Sequence, residues 1–467
     1  MHLDCKQTDR AIGVLLASAA GDALGVPYEF GTPPMNTEPE PRGGGLGNIA
    51  PGQWSDDTEM ACVIAQVAAS GADLRTPASL DAIADGFLGW YATNPPDVGI
   101  QTRQILHAAK PSVASAASMT ELARRFHEQS GRSAGNGSLM RTGPVALAHL
   151  GDTDAIATAA RAISSLTHYD PMAGEACVLW CLAIDHAIRT GRLDVRIGLP
   201  YVSDQWPALL DAAEAGQPSS FPNNGWVVAA LQAAVSALTH ASTLREALVA
   251  AVRAGNDTDT VAAITGSLAG AMYGGSAVPF EWHRRLHGWP KLLAHDLTAM
   301  AVLATRGGRP DRDGWPSCEV MECYDGMSTD IVCHPDDDGV LLGAVGALQP
   351  GVADAVVSLC RLGRSQFPLL GVSPENHLEF RIIDLEDANL DPAAVFYDVA
   401  RAIKALRSEG KTVFLHCVAT HTRTPLAAAA YGALHTGIGI VGALDRVEQV
   451  LPAAFPRASL RQALLEG

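Results

Sequence analysis

Residues 254–274 read AGNDTDTVAAITGSLAGAMYG, and this stretch decides how the chain before residue 305 is read. Asp257 and Asp259 stand at its start, and an uncharged run then continues from Thr260 to Val278. That run is long enough for a membrane, yet Ala, Gly, Ser and Thr drive insertion weakly. It is read as a buried helix with carboxylates at its N-terminus. Working outward, Ala/Leu/Val-rich runs at helical period recur at 58–69, 154–165, 174–188 and 226–238, and strand signals are nearly absent before Ala304. The expectation is an all-α domain over 1–305. Gly/Pro-rich segments at 31–52, 94–99 and 217–225 interrupt the helices as surface loops. The first of these lies between two acidic motifs and is a candidate lid.

Residues 306–316, RGGRPDRDGWP, are polar and rich in Gly and Pro, the texture of a linker. Beyond them, short β-type runs at 329–333, 339–343, 378–383 and 412–416 alternate with helical patterns at 352–362, 393–409 and 424–436. That alternation predicts a smaller α/β domain over 317–467. A chain of 467 residues exceeds the size at which one core stops growing, which agrees with two domains.

A net charge of −17 argues against non-specific nucleic-acid binding, which needs clustered Lys and Arg, and suits binding of divalent cations. The nine cysteines are scattered and odd in number, as expected of reduced thiols in a cytoplasm. Cys177 and Cys181 have ligand-like spacing but no second pair, which argues against zinc. Residues 11–21, AIGVLLASAAG, mimic a secretory leader. Asp22 and the motif that follows argue against export, so a cytoplasmic protein without a membrane partner is expected.

Three segments carry acids at helix starts or loop ends: Gly21–Gly25 with Glu29, Trp54–Glu59 and Gly255–Thr260. Each alone reads as helix capping, with acids complementing the dipole in a first turn. Together they offer carboxylates and hydroxyls from several directions, the oxygen set that Mg²⁺ or Mn²⁺ prefers. Two helix N-termini facing each other would supply them.

The segments GDALGVPYEF, WSDDTEM, GNGSLMRTGPVAL, THYDPMAGEA and AGNDTDTVAAITGSLAGAMYG resemble, in order, the signature segments of the ADP-ribosylglycohydrolase family over residues 8–300. The resemblance implies an all-α fold with two Mg²⁺ or Mn²⁺ ions. It makes Ser55, Asp56, Asp57, Asp257, Asp259 and Thr260 the metal ligands, and it places Glu29 near the metals or the scissile bond. It also puts Asn136, Gly137, Ser138 and His168 at the ADP-ribose pocket. Asp56, Asp57 or Glu29 would take the proton from the attacking water. Asn256 stands where relatives have Gly, so the loop backbone there is expected to differ slightly.

In the second domain Thr412–Leu415 reads as a buried strand running into HCVATHTRT, residues 416–424, and then a helix. A cysteine on such a loop meets backbone N–H groups and a helix N-terminus, which favour its thiolate. An arginine six positions on returns to clamp an oxyanion. The pattern resembles the tyrosine and dual-specificity phosphatases. On that match Cys417 is the nucleophile, Arg423 binds phosphate, Thr424 assists thiol release, and Asp384 in RIIDLEDANLDP is the general acid, with Asp387 second. Thr420 stands where the family has Gly, in a backbone turn that a β-branched residue resists.

The expected function is therefore removal of ADP-ribose from a modified protein, nucleic-acid end or small molecule, joined to a phosphatase-like domain with a phosphorylated substrate. The alternatives are an ADP-ribose-binding module without turnover, or a hydrolase of another nucleoside or glycoside.

Overall fold

The computed structural model describes residues 2–109, 115–312, 315–321 and 324–466. Residues 313–314 of the expected linker and Cys323 lie outside them. The chain forms two compact units. The first comprises Met1–Leu3, Gln7–Val278 and Leu286–Pro310, and the second comprises Asp4–Lys6, Pro279–Arg285 and Asp311–Gly467.

The first unit is helical. The helices that position the site and its packing are α1 (Cys5–Gly25), α2 (Asp56–Ala69), α3 (Pro171–Thr190), α4 (Val227–Thr239) and α5 (Thr258–Tyr273). The leader-like stretch lies in the middle of α1. By length and composition α1, extended to Tyr28, and α3 are each apolar enough to cross a membrane, but 94% and 78% of those windows are buried within the protein. The first of those is a core helix because its small residues form a seam. A Cβ on Gly13 would lie 2.3 Å from the Gly270 carbonyl oxygen, and one on Gly25 would lie 2.4 Å from the Asp259 Cα. No side chain fits at either point, so α1 and α5 run antiparallel in backbone contact. This seam brings the C-terminal end of α1 beside the acidic start of α5, where the Thr258 hydroxyl donates to the Gly25 carbonyl at 2.8 Å.

The second unit is built on five strands, β1 (Ile331–His334), β2 (Asp337–Ala344), β3 (Ala355–Ser358), β4 (His377–Glu379) and β5 (Val413–Cys417), in the order β1-β2-β5-β3-β4. β2, β5, β3 and β4 are mutually parallel, and β1 is an antiparallel edge. Side chains alternate between the faces. Val340, Leu342, Val413 and Leu415 join one core with α6 (Pro392–Ser408) and α7 (Arg423–Thr436), while Val356 and Phe414 join a smaller cluster. Phe280 is buried in the larger core, and its N–H donates to Asp398 Oδ2 at 2.9 Å. The helical pattern expected at 352–362 is corrected, since Ala355–Ser358 is the buried strand β3. A short apolar run without alternation fits either element, and parallel pairing with β5 decides it.

Candidate functional site

The two acidic helix starts do not cap their own helices. Ser55 occupies the N-cap position of α2 and Asp257 that of α5, yet neither side chain makes a capping bond. Asp22, from α1, does that work for α2. It is fully buried and accepts from the Ser55 N–H (2.9 Å), the Ser55 hydroxyl (2.7 Å), the Thr58 N–H (3.0 Å) and the Thr58 hydroxyl (2.6 Å). Asp56, Asp57, Asp257 and Asp259 are thereby left to face one another.

Glu29, Asp257 and Asp259 bring ligand oxygens within 4.8 Å of one another. Phe30 N–H donates to the Asn256 carbonyl at 2.6 Å and stitches the Glu29 turn to the α5 loop. Asn256 has a φ of 61°, a left-handed conformation that favours glycine and that Asn tolerates. Asp257 Oδ2 accepts from Asn136 Nδ2 at 2.7 Å, and Asp56 Oδ2 accepts from the Gly99 N–H at 3.2 Å.

The electrostatics are one-sided. Burial, then the neighbouring Asp97, pushes Glu29 and Asp56 up to about 8. Asp57 and Asp259 are driven well above the carboxylate range, first by burial and then by Asp22 for the former and Asp57 for the latter. Asp257 is raised by burial against its hydrogen bond from Asn136. Asp57 Oδ1 is buried without a hydrogen-bond partner. An all-oxygen donor set under mutual repulsion, with an orphan carboxylate oxygen, fits a hard divalent cation.

Apart from Asp57, the carboxylates of this set border a cleft of about 1380 Å³, above the roughly 300–1,000 Å³ of ordinary small-molecule pockets. Glu29, Asp56, Asp257, Asp259, Thr260, Asn136, Gly137 and His168 line it. A Cβ at Gly137 would come within 3.1 Å of the His168 ring, so glycine is what lets the turn lie on that histidine. Two expected residues turn elsewhere. Ser138 is buried against Ser164 at 2.9 Å, and the Ser55 hydroxyl is spent on Asp22 and on Asp57 Oδ2 at 3.0 Å. Asp22 and Asp97 are the residues the sequence reading passed over. The first was quoted within its motif, whereas the second sits in a loop read only as surface.

In the second unit β5 ends at Cys417 and α7 begins at Arg423. His416 is held by Ser358 Oγ at 2.6 Å, which in turn meets His377 Nε2 at 2.8 Å. Burial, then His377, pushes His416 down to about 3, so the ring is neutral. Arg423 is buried and donates through Nη1 to the carbonyls of Leu359 (2.7 Å) and Ile382 (3.1 Å), while its Nε has no partner. Thr424 Oγ1 is likewise buried without one. Thr420 adopts a φ of 60°, the strained turn that its sequence position implied. Asp384 is paired with Arg457 at 3.0 Å.

The profile described as ADP-ribosylglycohydrolase matches residues 4–311. The ADP-ribosyl-dinitrogen reductase glycohydrolase of Rhodospirillum rubrum is 29% identical over 287 residues, covering 60% of this chain and 90% of its own. The ADP-ribosylarginine hydrolase Tri1 of Pseudomonas putida is 30% identical over 280 residues, covering 59% and 73%. A solved ADP-ribosylglycohydrolase-related protein complex is 28% identical with a TM-score of 0.52, covering 65% of this chain and 99% of that one. Since the matched span holds every acidic segment that builds the cleft, the chain belongs to the ADP-ribosylglycohydrolase family.

Proposed function

We propose that the first unit hydrolyses the glycosidic bond joining ADP-ribose to a modified protein, using two Mg²⁺ or Mn²⁺ ions held among Glu29, Asp56, Asp57, Asp257 and Asp259. The observation that carries this reading is the convergence of Glu29, Asp257 and Asp259 on one wall of the large cleft. Bound cations would neutralise the clustered carboxylates and polarise ribose oxygens and water. The chain's own groups then divide the remaining tasks. Glu29 and Asp56 line the cleft and Asp57 does not, which favours the first two as the base that takes a proton from water. Asn136 orients Asp257, and Gly137 and His168 shape the wall against which the ligand lies. The relatives named for ADP-ribosylarginine and ADP-ribosyl-dinitrogen reductase support a protein acceptor. Release of ADP-ribose from an ADP-ribosylated protein should stop on chelation and return with Mn²⁺ or Mg²⁺. Full turnover in protein shown to be metal-free would overturn the reading.

For the second unit we propose an anion site with cysteine-phosphatase chemistry. Support comes from the buried Arg423 Nε and Thr424 Oγ1, two polar groups without partners beside the loop that carries Cys417. An anion would accept from both, and the Cys417 thiolate would attack phosphorus while Asp384, released from Arg457, protonates the leaving oxygen. Vanadate binding with turnover of an aryl phosphate, lost in Cys417→Ser, is the expected result. A chain that ignores vanadate and phosphate carries no such chemistry.

A further inference from the structure

Arg141 is fully buried among apolar groups, a placement that is costly for a guanidinium without a carboxylate partner. Its contacts are few. The guanidinium carbon lies 4.4 Å from the Phe87 ring centre, Nη1 reaches the Met60 sulfur at 3.3 Å, Nε has no partner, and Nη2 donates to Thr167 Oγ1 at 2.6 Å. Thr167 Oγ1 is also 2.8 Å from His168 Nδ1, and the Thr167 carbonyl accepts from Gln101 Nε2 at 3.0 Å. Gln101 and His168 both line the cleft.

Donor bookkeeping fixes the direction of this chain. An arginine only donates, so the Thr167 oxygen is an acceptor toward Arg141 and must place its single proton elsewhere. Among the described residues His168 Nδ1 is its one other hydrogen-bonding neighbour. An accepting Nδ1 is what gives this buried proton a partner, and the imidazole proton then sits on Nε2, the edge that meets Gly135 and Gly137.

We infer that Arg141 is a positioning residue which, through the Thr167 hydroxyl, holds His168 in the Nε2-protonated tautomer, so that His168 serves the cleft as a hydrogen-bond donor and not as a base. This deepens the hydrolase reading and rests on it for the identity of the ligand. Burial, and secondarily Arg141 itself, pushes His168 down to about 3, so the ring stays uncharged at neutral pH. The arrangement also accounts for a buried cation whose hydrogen bonds go to no carboxylate among the described residues. A carboxylate partner would occupy Nη2 and free Thr167 to turn its proton away from the ring.

The test uses the full chain labelled with ¹⁵N-histidine, with the His168 signals identified by their loss in His168→Gln. Wild type should show a protonated Nε2 and a bare Nδ1, unchanged from about pH 5 to about pH 9. Thr167→Val, which keeps shape and removes the hydroxyl, should give mixed tautomers and weaken binding of free ADP-ribose about tenfold by calorimetry. Thr167→Ser should restore both readouts, and Arg141→Met should act like Thr167→Val. An Nδ1-protonated or charged His168 in wild type, or a Thr167→Val protein with unchanged tautomer and affinity, overturns the proposal. Should Arg141→Met fail to fold, the threonine pair still decides it. Wild type that binds no ADP-ribose but shows the expected tautomer would defeat the hydrolase reading and leave the positioning role standing.

Discussion

The acidic cleft and the thiol loop both gather polar groups at helix starts, but the atoms left without partners have opposite character. Beside the cleft the orphan is an acceptor, Asp57 Oδ1, among carboxylates that raise one another. In the loop the orphans are the Arg423 Nε donor and the Thr424 hydroxyl. Buried polar groups are rarely left unpaired in folded proteins, so the sign of the orphan states what each site takes. On the proposed reading the first takes a cation and the second an anion. The difference also shows how a helix start is used. Asp22 caps α2 from another helix and frees the carboxylates of α2, whereas Arg423 is tied to two carbonyls and presents only its remaining edge.

Substitutions that remove a carboxylate charge at or beside the cleft bear on this contrast most directly. Asp57→Asn or Asp259→Asn should lower ADP-ribose release by at least about a hundredfold, because each removes a proposed cation ligand. The same change relieves repulsion, so in chelator these variants should melt higher than wild type. Lower melting without metal would show that the carboxylates stabilise the fold and are not strained by it. On the other side, Cys417→Ser should abolish any aryl phosphate turnover, and Arg423→Met should weaken vanadate binding by more than about tenfold. Both should leave ADP-ribose release untouched, which assays on one preparation would check.

A third prediction concerns the second unit's core. Phe280→Ala should cost about 3–5 kcal/mol by opening a cavity and freeing its segment from Asp398, read as a lower denaturation midpoint of that unit. The fourth uses pH. Glu29 and Asp56 have folded values pushed up to about 8, against unfolded values near 4, so the folded state holds protons that the unfolded chain releases. Stability from these groups is complete below about pH 4 and is lost as pH rises through about 8. Metal-free protein should therefore melt progressively lower from about pH 5 to about pH 9, and Mn²⁺ should flatten that slope. A metal-free melting temperature that does not fall over this range would contradict the crowded-carboxylate picture. The smallest effect is expected at Thr420. Thr420→Gly relieves a left-handed β-branched residue and should gain about 1 kcal/mol, raising any phosphatase rate if loop strain limits it.

What the sequence determined by itself was local in origin. Helical period placed α2, α3, α4 and α5 within a few residues of their observed ends, because each helix repeats its own buried face. The turn at Thr420 was legible only through the resemblance, which puts a glycine at that position. Ala355–Ser358 was misread because a run of four residues buried on both faces has no period to distinguish strand from helix. Tertiary structure alone decided who pairs with whom. Asp22 meets Ser55 across 33 positions and Arg141 meets Thr167 across 26, and nothing in the intervening chain marks either partner. Phe280 belongs to the second unit although it precedes the Gly/Pro-rich stretch by 26 positions or more. Ser138 was expected at the ligand and is spent in the core, because a turn's sequence states which groups it offers but not which way the packed helices rotate them. Charge and hydrogen-bonding type are written residue by residue, whereas the distance between groups far apart in the chain is set by how small-residue seams such as Gly13 against Gly270 allow the helices to close.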